Sequence, residues 1–214
     1  MADAIIYYCS VTGSLADPLA VELKARWLAS LPYGKRQAVE RAPEPAACAT
    51  LAGIDLLAHA ARALGFPALD ASRLEFPERG KPGWPGGPEF NISHAGGYVA
   101  CAATRGVRVG IDLEVVGRVR PEVLRRVAST AELERFGRLA DGATRLWTRK
   151  EAVLKAEGGS VFDAAAVSLH ADCADFRGKR WYFAGPEQLA GCALALAIEH
   201  PGAVVELRRA MQLA

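Results

Sequence analysis

The stretch that most constrains the fold is residues 146–159, LWTRKEAVLKAEGG. Strong helix formers fill it and a glycine pair closes it, which predicts a helix that ends near Glu157. Trp147, Glu151 and Lys155 are spaced by four residues, so they share one helical face. This face is either a surface ion pair beside a half-buried tryptophan, or part of a site on which acidic and basic groups from elsewhere converge.

Composition and charge exclude several classes of protein. Hydrophobic residues make up 51% of the 214 residues and charged residues 23%, which is typical of a soluble protein with one large domain or two halves. The 26 basic and 24 acidic side chains leave a net charge of +2. Overall charge therefore gives no indication of nucleic-acid binding, and we expect no nucleic-acid partner.

Cysteine usage and hydropathy indicate the compartment. The five cysteines are dispersed and form no C-x-x-C pair, which argues against a disulfide framework or a zinc site. Residues 1–9 lack the basic region of a signal peptide, and no apolar run approaches the about 18 residues of a membrane span. We therefore expect a cytoplasmic protein with reduced thiols and no membrane partner.

Hydrophobic periodicity predicts similar elements in both halves of the chain. For the first half we expect a strand at 4–9, a helix at 19–31, a turn at 32–36, a helix at 48–64, and strands at 90–94 and 98–103. For the second half we expect a strand at 107–116, a helix from Pro121, a helix with Thr130 as N-cap, and a closing pair of strands at 193–199 and 203–207. This pattern predicts an α+β fold with two similar subdomains, 1–105 and 106–214.

Residues 76–88 form a segment of different character. Four prolines and four glycines in 13 residues exclude regular secondary structure there. The segment is either a linker between elements or a ligand contact. Within it, Arg79-Gly80-Lys81-Pro82 offers cations beside a close backbone approach, which suits a phosphate or a nucleotide.

Two acidic residues lie on the predicted strand 107–116. Asp112 and Glu114 are two positions apart, so their side chains share one face of the strand, about 6.6 Å apart along it. They form either a solvent-facing acidic edge or a pair of hard oxygen ligands for Mg²⁺. Downstream lies a set of arginines that we call the basic patch: Arg118, Arg120, Arg125 and Arg126.

Four motifs occur in a fixed order across about half of the chain. They are Gly80-Lys81-Pro82, Phe90-Asn91-Ile92-Ser93-His94, Val109-Gly110-Ile111-Asp112-Leu113-Glu114, and Trp147-Thr148-Arg149-Lys150-Glu151-Ala152 followed by Lys155. Together they resemble the 4′-phosphopantetheinyl transferases of the surfactin-synthetase type, and the last motif is similar to the W-x-x-K-E-A variant of that family.

The resemblance implies a fold and a reaction. The fold would have two pseudo-twofold-related α+β halves, each a small antiparallel sheet packed on a long helix, with coenzyme A and Mg²⁺ in the cleft between them. The enzyme would move 4′-phosphopantetheine from coenzyme A to a serine of an apo acyl or peptidyl carrier protein and release 3′,5′-ADP. We expect a cytoplasmic monomer.

The resemblance also implies roles for individual residues. Asp112, Glu114 and Glu151 would hold the metal, and Glu151 would activate the serine. Lys155, with Asp112, would act at the diphosphate. The other implied contacts to coenzyme A are Ser93 and His94 at a phosphate and Gly80-Lys81-Pro82 near the adenine nucleotide.

The chemistry of the residues agrees with this implication, because phosphoryl transfer depends mainly on positioning and charge neutralisation. Lys150 is rotated away from Glu151 on the helix and is either a surface charge or a second phosphate contact. Where the family commonly carries an arginine this chain has Ala49, so we expect the 3′-phosphate of coenzyme A to be bound by nearby basic residues: Lys35, Arg36 and Arg41.

Two other functions use the same residues. A Mg²⁺-dependent hydrolase of a nucleotide diphosphate would use the same acids with water in place of serine. A non-catalytic module that binds coenzyme A or a carrier protein would not need a base such as Glu151.

Overall fold

The structure, a computed structural model, describes residues 3–78 and 80–210. The α-helices of these residues are α1 (Pro18–Trp27), α2 (Tyr33–Arg41), α3 (Glu44–Ala63), α4 (Pro121–Val127), α5 (Thr130–Phe136) and α6 (Gly142–Glu157). The strands are β1 (Ala4–Ser10), β2 (Glu89–Ala95), β3 (Tyr98–Thr104), β4 (Val109–Val115), β5 (Ser168–Leu169), β6 (Cys173–Phe176), β7 (Lys179–Phe183), β8 (Gln188–Leu189), β9 (Cys192–Ile198) and β10 (Val205–Arg209).

The strands form two sheets, each covered by one long helix. The first sheet has the order β10-β1-β3-β2, and the second has the order β4-β9-β7-β6-β5 with β8 paired to β9. Neighbouring strands are antiparallel except for β1 and β10, which are parallel. Helix α3 packs against β1 and β3, and α6 packs against β4 and β9. The predicted α+β class is confirmed.

An apolar layer joins the two sheets. Alternate residues of a strand point to opposite faces, so β1 directs Ile5 towards α3 and Ile6 towards the second sheet. In β4, Ile111 and Leu113 fill the same layer between the sheets. This alternation leaves Asp112 on the opposite face of β4, beside α6.

Two glycines allow the long helices to approach their sheets closely. A Cβ atom at Gly110 would lie 2.1 Å from the carbonyl oxygen of Ala152 and 2.3 Å from the nitrogen of Ala156, so α6 rests directly on β4. A Cβ at Gly53 would lie 2.7 Å from Cγ2 of Ile92, so α3 meets β2 in a similar way.

The predicted closing pair of strands is wrong. β9 and β10 both exist, but β9 lies in the second sheet while β10 pairs with β1 in the first. Residues 199–204 carry the chain from one sheet to the other, and Asp3 fixes this connection through a 2.9 Å hydrogen bond from its backbone nitrogen to the carbonyl of Val204.

Two local predictions in the helices are also corrected. The predicted turn at 32–36 is the start of α2, because Pro32 occupies the N-cap and Tyr33 already begins the helix. The N-cap of α5 is Ser129 and not Thr130. The Ser129 hydroxyl accepts from the backbone of Glu132, whose carboxylate accepts from the backbone of Ser129 at 2.7 Å, and this reciprocal capping box determines where the helix begins.

The division of the chain into two subdomains, 1–105 and 106–214, stays a prediction. Met1, Ala2 and Arg79 lie outside the described residues, as do residues 211–214. The helices in the described part of the chain are all too short or too polar to cross a membrane.

Candidate active site

Helix α6 and strand β4 bring four charged side chains together. The helix ends as predicted, with Gly158 in the left-handed conformation at φ 75°. The Lys155 ammonium lies 2.5 Å from Oδ1 of Asp112, and the indole nitrogen of Trp147 donates to Glu114 at 3.3 Å. The face that carries Trp147 and Lys155 therefore contacts the carboxylates of β4. It is not the surface ion pair between Glu151 and Lys155 that the sequence allowed, because Lys155 pairs with Asp112 of β4, whose side chain is only 4% exposed.

Two carboxylate oxygens in this cluster are buried and have no hydrogen-bond partner among the residues that the structure describes. They are Oδ2 of Asp112, a residue only 3% exposed, and Oε1 of Glu151. Burial, reinforced by the charge of Asp112, raises the pKa of Glu151 to about 7, although Lys155 opposes the shift. Burial and Asp112 likewise raise the pKa of Glu114. Among the described residues Lys155 is the cation that pairs directly with this cluster, and Arg118 acts on Glu114 only through its charge, so the three carboxylates are short of direct positive partners.

The shortage of positive charge around these carboxylates is the observation that favours a bound metal ion. Among the described residues no three His, Cys, Asp or Glu side chains are already gathered as a metal site. The donor set nevertheless fits Mg²⁺ in its chemistry, because carboxylate oxygens are the ligands that Mg²⁺ prefers. The unpartnered oxygens of Asp112 and Glu151 are the atoms available to bind it.

Ser93 of β2 connects the cluster to the first sheet. Its buried hydroxyl lies 3.2 Å from Oδ1 of Asp112, accepts from Lys155 at 3.0 Å and accepts from the backbone of Leu113 at 3.2 Å. A hydroxyl has one donor and two acceptor positions, and these contacts use all three. Ser93 therefore has no hydrogen-bonding capacity left for a phosphate in this arrangement.

His94 follows Ser93 and lies at the surface. Partial loss of hydration, together with the nearby positive charge of Lys155, lowers the pKa of His94, while Asp112 acts in the opposite direction. The imidazole thus stands beside the same ion pair from the side of the first sheet.

The segment 76–88 passes close to the end of α6. The described part of this segment contains no helix or strand, and its only strand-like contact is an isolated bridge from Gly83 to Glu75. The prediction of irregular structure is therefore confirmed. A Cβ on Gly158 would lie 3.9 Å from the Cα of Gly80. Lys81 donates to the Glu89 carboxylate and, at 3.3 Å, to a backbone carbonyl at the start of β4. Pro82 follows directly.

The basic residues expected near the 3′-phosphate lie on α2. Lys35 places its ammonium 5.0 Å from the centroid of the Phe76 ring, and burial lowers the pKa of Lys35. The Arg36 guanidinium lies over the Tyr33 ring, 5.6 Å from its centroid. Arg41 is in the last turn of α2. The described hydrogen bonds and ion pairs connect none of these cations to the carboxylate cluster.

Lys150 corrects a prediction, because neither proposed location is right. The side chain is only 1% exposed, and its ammonium lies 3.0 Å from Glu132 and 2.5 Å from the carbonyl of Val167. Glu132 also accepts from the backbone of Leu169 at 2.8 Å. Lys150 is thus neither a surface charge nor a phosphate contact but part of a buried ion pair that joins α6 to α5.

Sequence reasoning assigned no role to two residues that shape this site. Asn91 accepts a 2.9 Å hydrogen bond from the backbone of Ile111, and Gly110 admits α6 to the surface of β4. The signal for Gly110 was a glycine in the interior of a predicted strand, which often marks a close backbone approach. Asn91 gave a weaker signal, a polar residue at a buried strand position.

Residues 108–188 match the family model described as the 4′-phosphopantetheinyl transferase superfamily. The 4′-phosphopantetheinyl transferase AcpT of Salmonella typhi is 31% identical in an alignment of 172 residues that covers 75% of this chain and 79% of that protein. The chain belongs to the 4′-phosphopantetheinyl transferase superfamily.

Further relatives have the same family name. The 4′-phosphopantetheinyl transferase AcpT of Escherichia coli (strain K12) is 32% identical in an alignment of 161 residues that covers 65% of this chain and 71% of that protein. The 4′-phosphopantetheinyl transferase Sfp of Bacillus subtilis (strain 168) is 35% identical in an alignment of 116 residues that covers 49% of this chain and 51% of that protein. The matched residues 108–188 include β4 and α6, which carry all four charged side chains of the cluster.

Proposed function

We propose that this chain transfers 4′-phosphopantetheine from coenzyme A to a serine hydroxyl of an apo acyl or peptidyl carrier protein, in a Mg²⁺-dependent reaction. Membership of the superfamily makes it a phosphopantetheinyl transferase. The observation that best supports the proposed site is the convergence of Asp112, Glu151 and Lys155, with two unpartnered carboxylate oxygens, next to β2.

The proposed mechanism assigns one task to each group. The serine oxygen attacks the diphosphate phosphorus that bears the pantetheine, the bond from that phosphorus to the bridging oxygen breaks, and 3′,5′-ADP leaves. Glu151 accepts the serine proton, because a carboxylate within hydrogen-bond reach of a hydroxyl can act as its base. Lys155 neutralises charge on the diphosphate. Asp112, Glu114 and Glu151 would hold Mg²⁺, which supplies further charge stabilisation when bound.

Contacts to the rest of coenzyme A belong to the same proposal. Gly80-Lys81-Pro82 would lie at the adenine nucleotide and His94 at a phosphate, with Ser93 contributing only if it releases Asp112 or Lys155. Lys35, Arg36 and Arg41 would serve the 3′-phosphate. Replacing each of the three with alanine and comparing coenzyme A with its 3′-dephospho form tests this, because loss of a true anchor weakens only coenzyme A, by about 10-fold or more.

The carrier protein is proposed to approach the basic patch. Arg120, Arg125 and Arg126 are exposed at or on α4, and Arg125 has a 3.0 Å surface ion pair with Glu122. Carrier proteins are typically acidic, so this patch would steer their approach in a salt-dependent way. We further propose that the chain acts as a cytoplasmic monomer, and its five free cysteines are consistent with a reducing compartment.

Incubation with coenzyme A, Mg²⁺ and several apo carrier proteins, followed by intact mass measurement, tests the function. We expect one phosphopantetheine on at least one carrier. Release of free phosphopantetheine without carrier modification would instead indicate the hydrolase. Binding of coenzyme A with neither product would indicate a non-catalytic module.

A further inference from the structure

The edges of β2 and β4 meet without pairing as strands. In the described residues β2 pairs only with β3, and β4 pairs only with β9. The two edges nevertheless lie side by side, and β2 directs two polar side chains towards the backbone of β4. Asn91 accepts from the Ile111 nitrogen at 2.9 Å, and Ser93 accepts from the Leu113 nitrogen at 3.2 Å.

The spacing of these bonds matches on the two strands. Asn91 and Ser93 are two residues apart, as are Ile111 and Leu113, so successive side chains of β2 reach successive outward N–H groups of β4. We call this arrangement the side-chain ladder. Both donors lie in the buried layer between the sheets, where an N–H without a partner would be costly.

Asp112 lies between the two steps of the side-chain ladder. Its backbone is fixed on both sides, at Ile111 by Asn91 and at Leu113 by Ser93, while its side chain projects to Lys155. Asn91 is 5% exposed, and its described side-chain hydrogen bond is the one to Ile111. The mechanism above gives this residue no task.

We infer that Asn91 is a positioning residue for transfer: its side-chain oxygen sets the edge of β4 against β2 and thereby places Asp112 opposite Ser93 and His94. This inference rests on the proposed function. It concerns the alignment of the two walls of the site, and Asn91 itself contacts neither coenzyme A nor the carrier serine.

The test compares Asn91→Leu, which has similar size but no acceptor, with Asn91→Asp, which keeps one. The matched control is Leu57→Ala, which removes buried side-chain volume under α3, away from the side-chain ladder. Transfer is measured well below the unfolding temperature and expressed per folded molecule. Amide hydrogen exchange at Ile111 and Leu113 is measured in the same preparations.

We expect Asn91→Leu to lose amide protection at Ile111 and to lower kcat about 10- to 100-fold with a nearly unchanged KM for coenzyme A. Asn91→Asp should restore both protection and most of kcat, and Leu57→Ala should keep kcat. A wild-type kcat in Asn91→Leu, an equal loss in Leu57→Ala, or restored protection without restored kcat in Asn91→Asp would each overturn the inference. Failure of the wild type to modify any carrier would contradict the proposed function instead, while loss or retention of Ile111 protection would still test the side-chain ladder.

Discussion

The outer faces of the two sheets carry similar arrangements of a long helix over a strand, but the carboxylates on the two faces differ in their partners. On the first face, α3 covers β1 and carries Asp55 and His59 four residues apart; on the second, α6 covers β4 and carries Glu151 and Lys155 with the same spacing. Tyr7 is the fourth residue of β1 and stacks on His59 at 5.6 Å. The fourth residue of β4 is Asp112, which pairs with Lys155.

The difference lies in how the buried carboxylates are satisfied. Asp55 accepts from Trp27 at 2.9 Å and Arg26 at 3.1 Å, and His59 lies 3.4 Å from its other oxygen. Burial alone would raise the pKa of Asp55, but the bonds from His59 and Trp27 and the charges of His59 and Arg26 lower it. The first face is therefore complete without a ligand, whereas the second lacks positive charge. The comparison teaches that the proposed active site differs from a structural polar cluster by the partners that its carboxylates lack.

The largest expected effect is on activity and separates the two faces. Glu151→Gln should lower kcat for carrier modification about 10²- to 10⁴-fold, because it removes the proposed base. Asp55→Asn should leave kcat within about threefold at a temperature where the variant is folded, since Asp55 contacts no reacting group. Intact mass measurement of the carrier over time gives both rates. Near-wild-type transfer by Glu151→Gln would assign the proton to another acceptor.

The next effect is on the stability of the first face. Asp55→Asn should lower the free energy of unfolding by about 1.5–3 kcal/mol, since bonds to charged groups are lost around a buried residue. Urea unfolding at neutral pH measures this. Glu22→Gln, which removes the exposed partner of Arg26, is the matched control and should cost at most about 0.5 kcal/mol. An equal loss of unfolding free energy in the two variants would show that Asp55 contributes no more than one partner of a surface ion pair.

The second face should respond in the opposite direction. With Mg²⁺ removed, Glu151→Gln should raise the free energy of unfolding by about 1 kcal/mol above about pH 7.5, because it removes a repelled, partly buried charge. Addition of Mg²⁺ should reduce or reverse this gain, since only the wild type keeps all proposed ligands. If the variant is destabilised in the absence of Mg²⁺, the charge deficit at this face is not real.

The smallest effect is the pH dependence of these differences. The pKa of Glu151 is about 7 in the folded chain, above its ordinary value, so its ionisation destabilises the fold as pH rises. The gain from Glu151→Gln should therefore vanish below about pH 4.5 and grow up to about pH 7.5. The pKa of Asp55 is lowered, so the stability that comes from its own ionisation should be lost only as pH falls below the ordinary pKa of a carboxylate, at the acidic end of this range. Parallel pH profiles for the two variants would contradict this assignment.

Much of this arrangement could be predicted from the sequence because it depends on local pattern. The Trp147, Glu151 and Lys155 face, the end of α6 at Gly158 and the shared face of Asp112 and Glu114 all follow from helical and strand periodicity. The order of the motifs then indicated the family.

Two kinds of feature could not be predicted: contacts between residues that are distant in the sequence, and the residue at which a short helix begins. Lys150 was misplaced because its burial depends on Glu132, a residue on another helix. Tertiary packing also decides which sheet β10 joins and which strand Asn91 contacts. Hydrophobic periodicity does not encode either of these. At α2, Pro32 and Gly34 suggested a turn, yet Pro is well tolerated at a helix start.

The parallel pairing of β10 with β1 has a consequence for biosynthesis. β1 (Ala4–Ser10) is synthesised long before its neighbour β10, which ends at Arg209. Until that residue has emerged, one edge of β1 has unpaired backbone groups beside the apolar side chains of Ile5 and Ile6, a state that favours aggregation. The first sheet is therefore begun before the second sheet and completed only after β9 has been made. We expect the open edge of β1 to need protection during this interval, either by rapid synthesis of the intervening residues or by a chaperone.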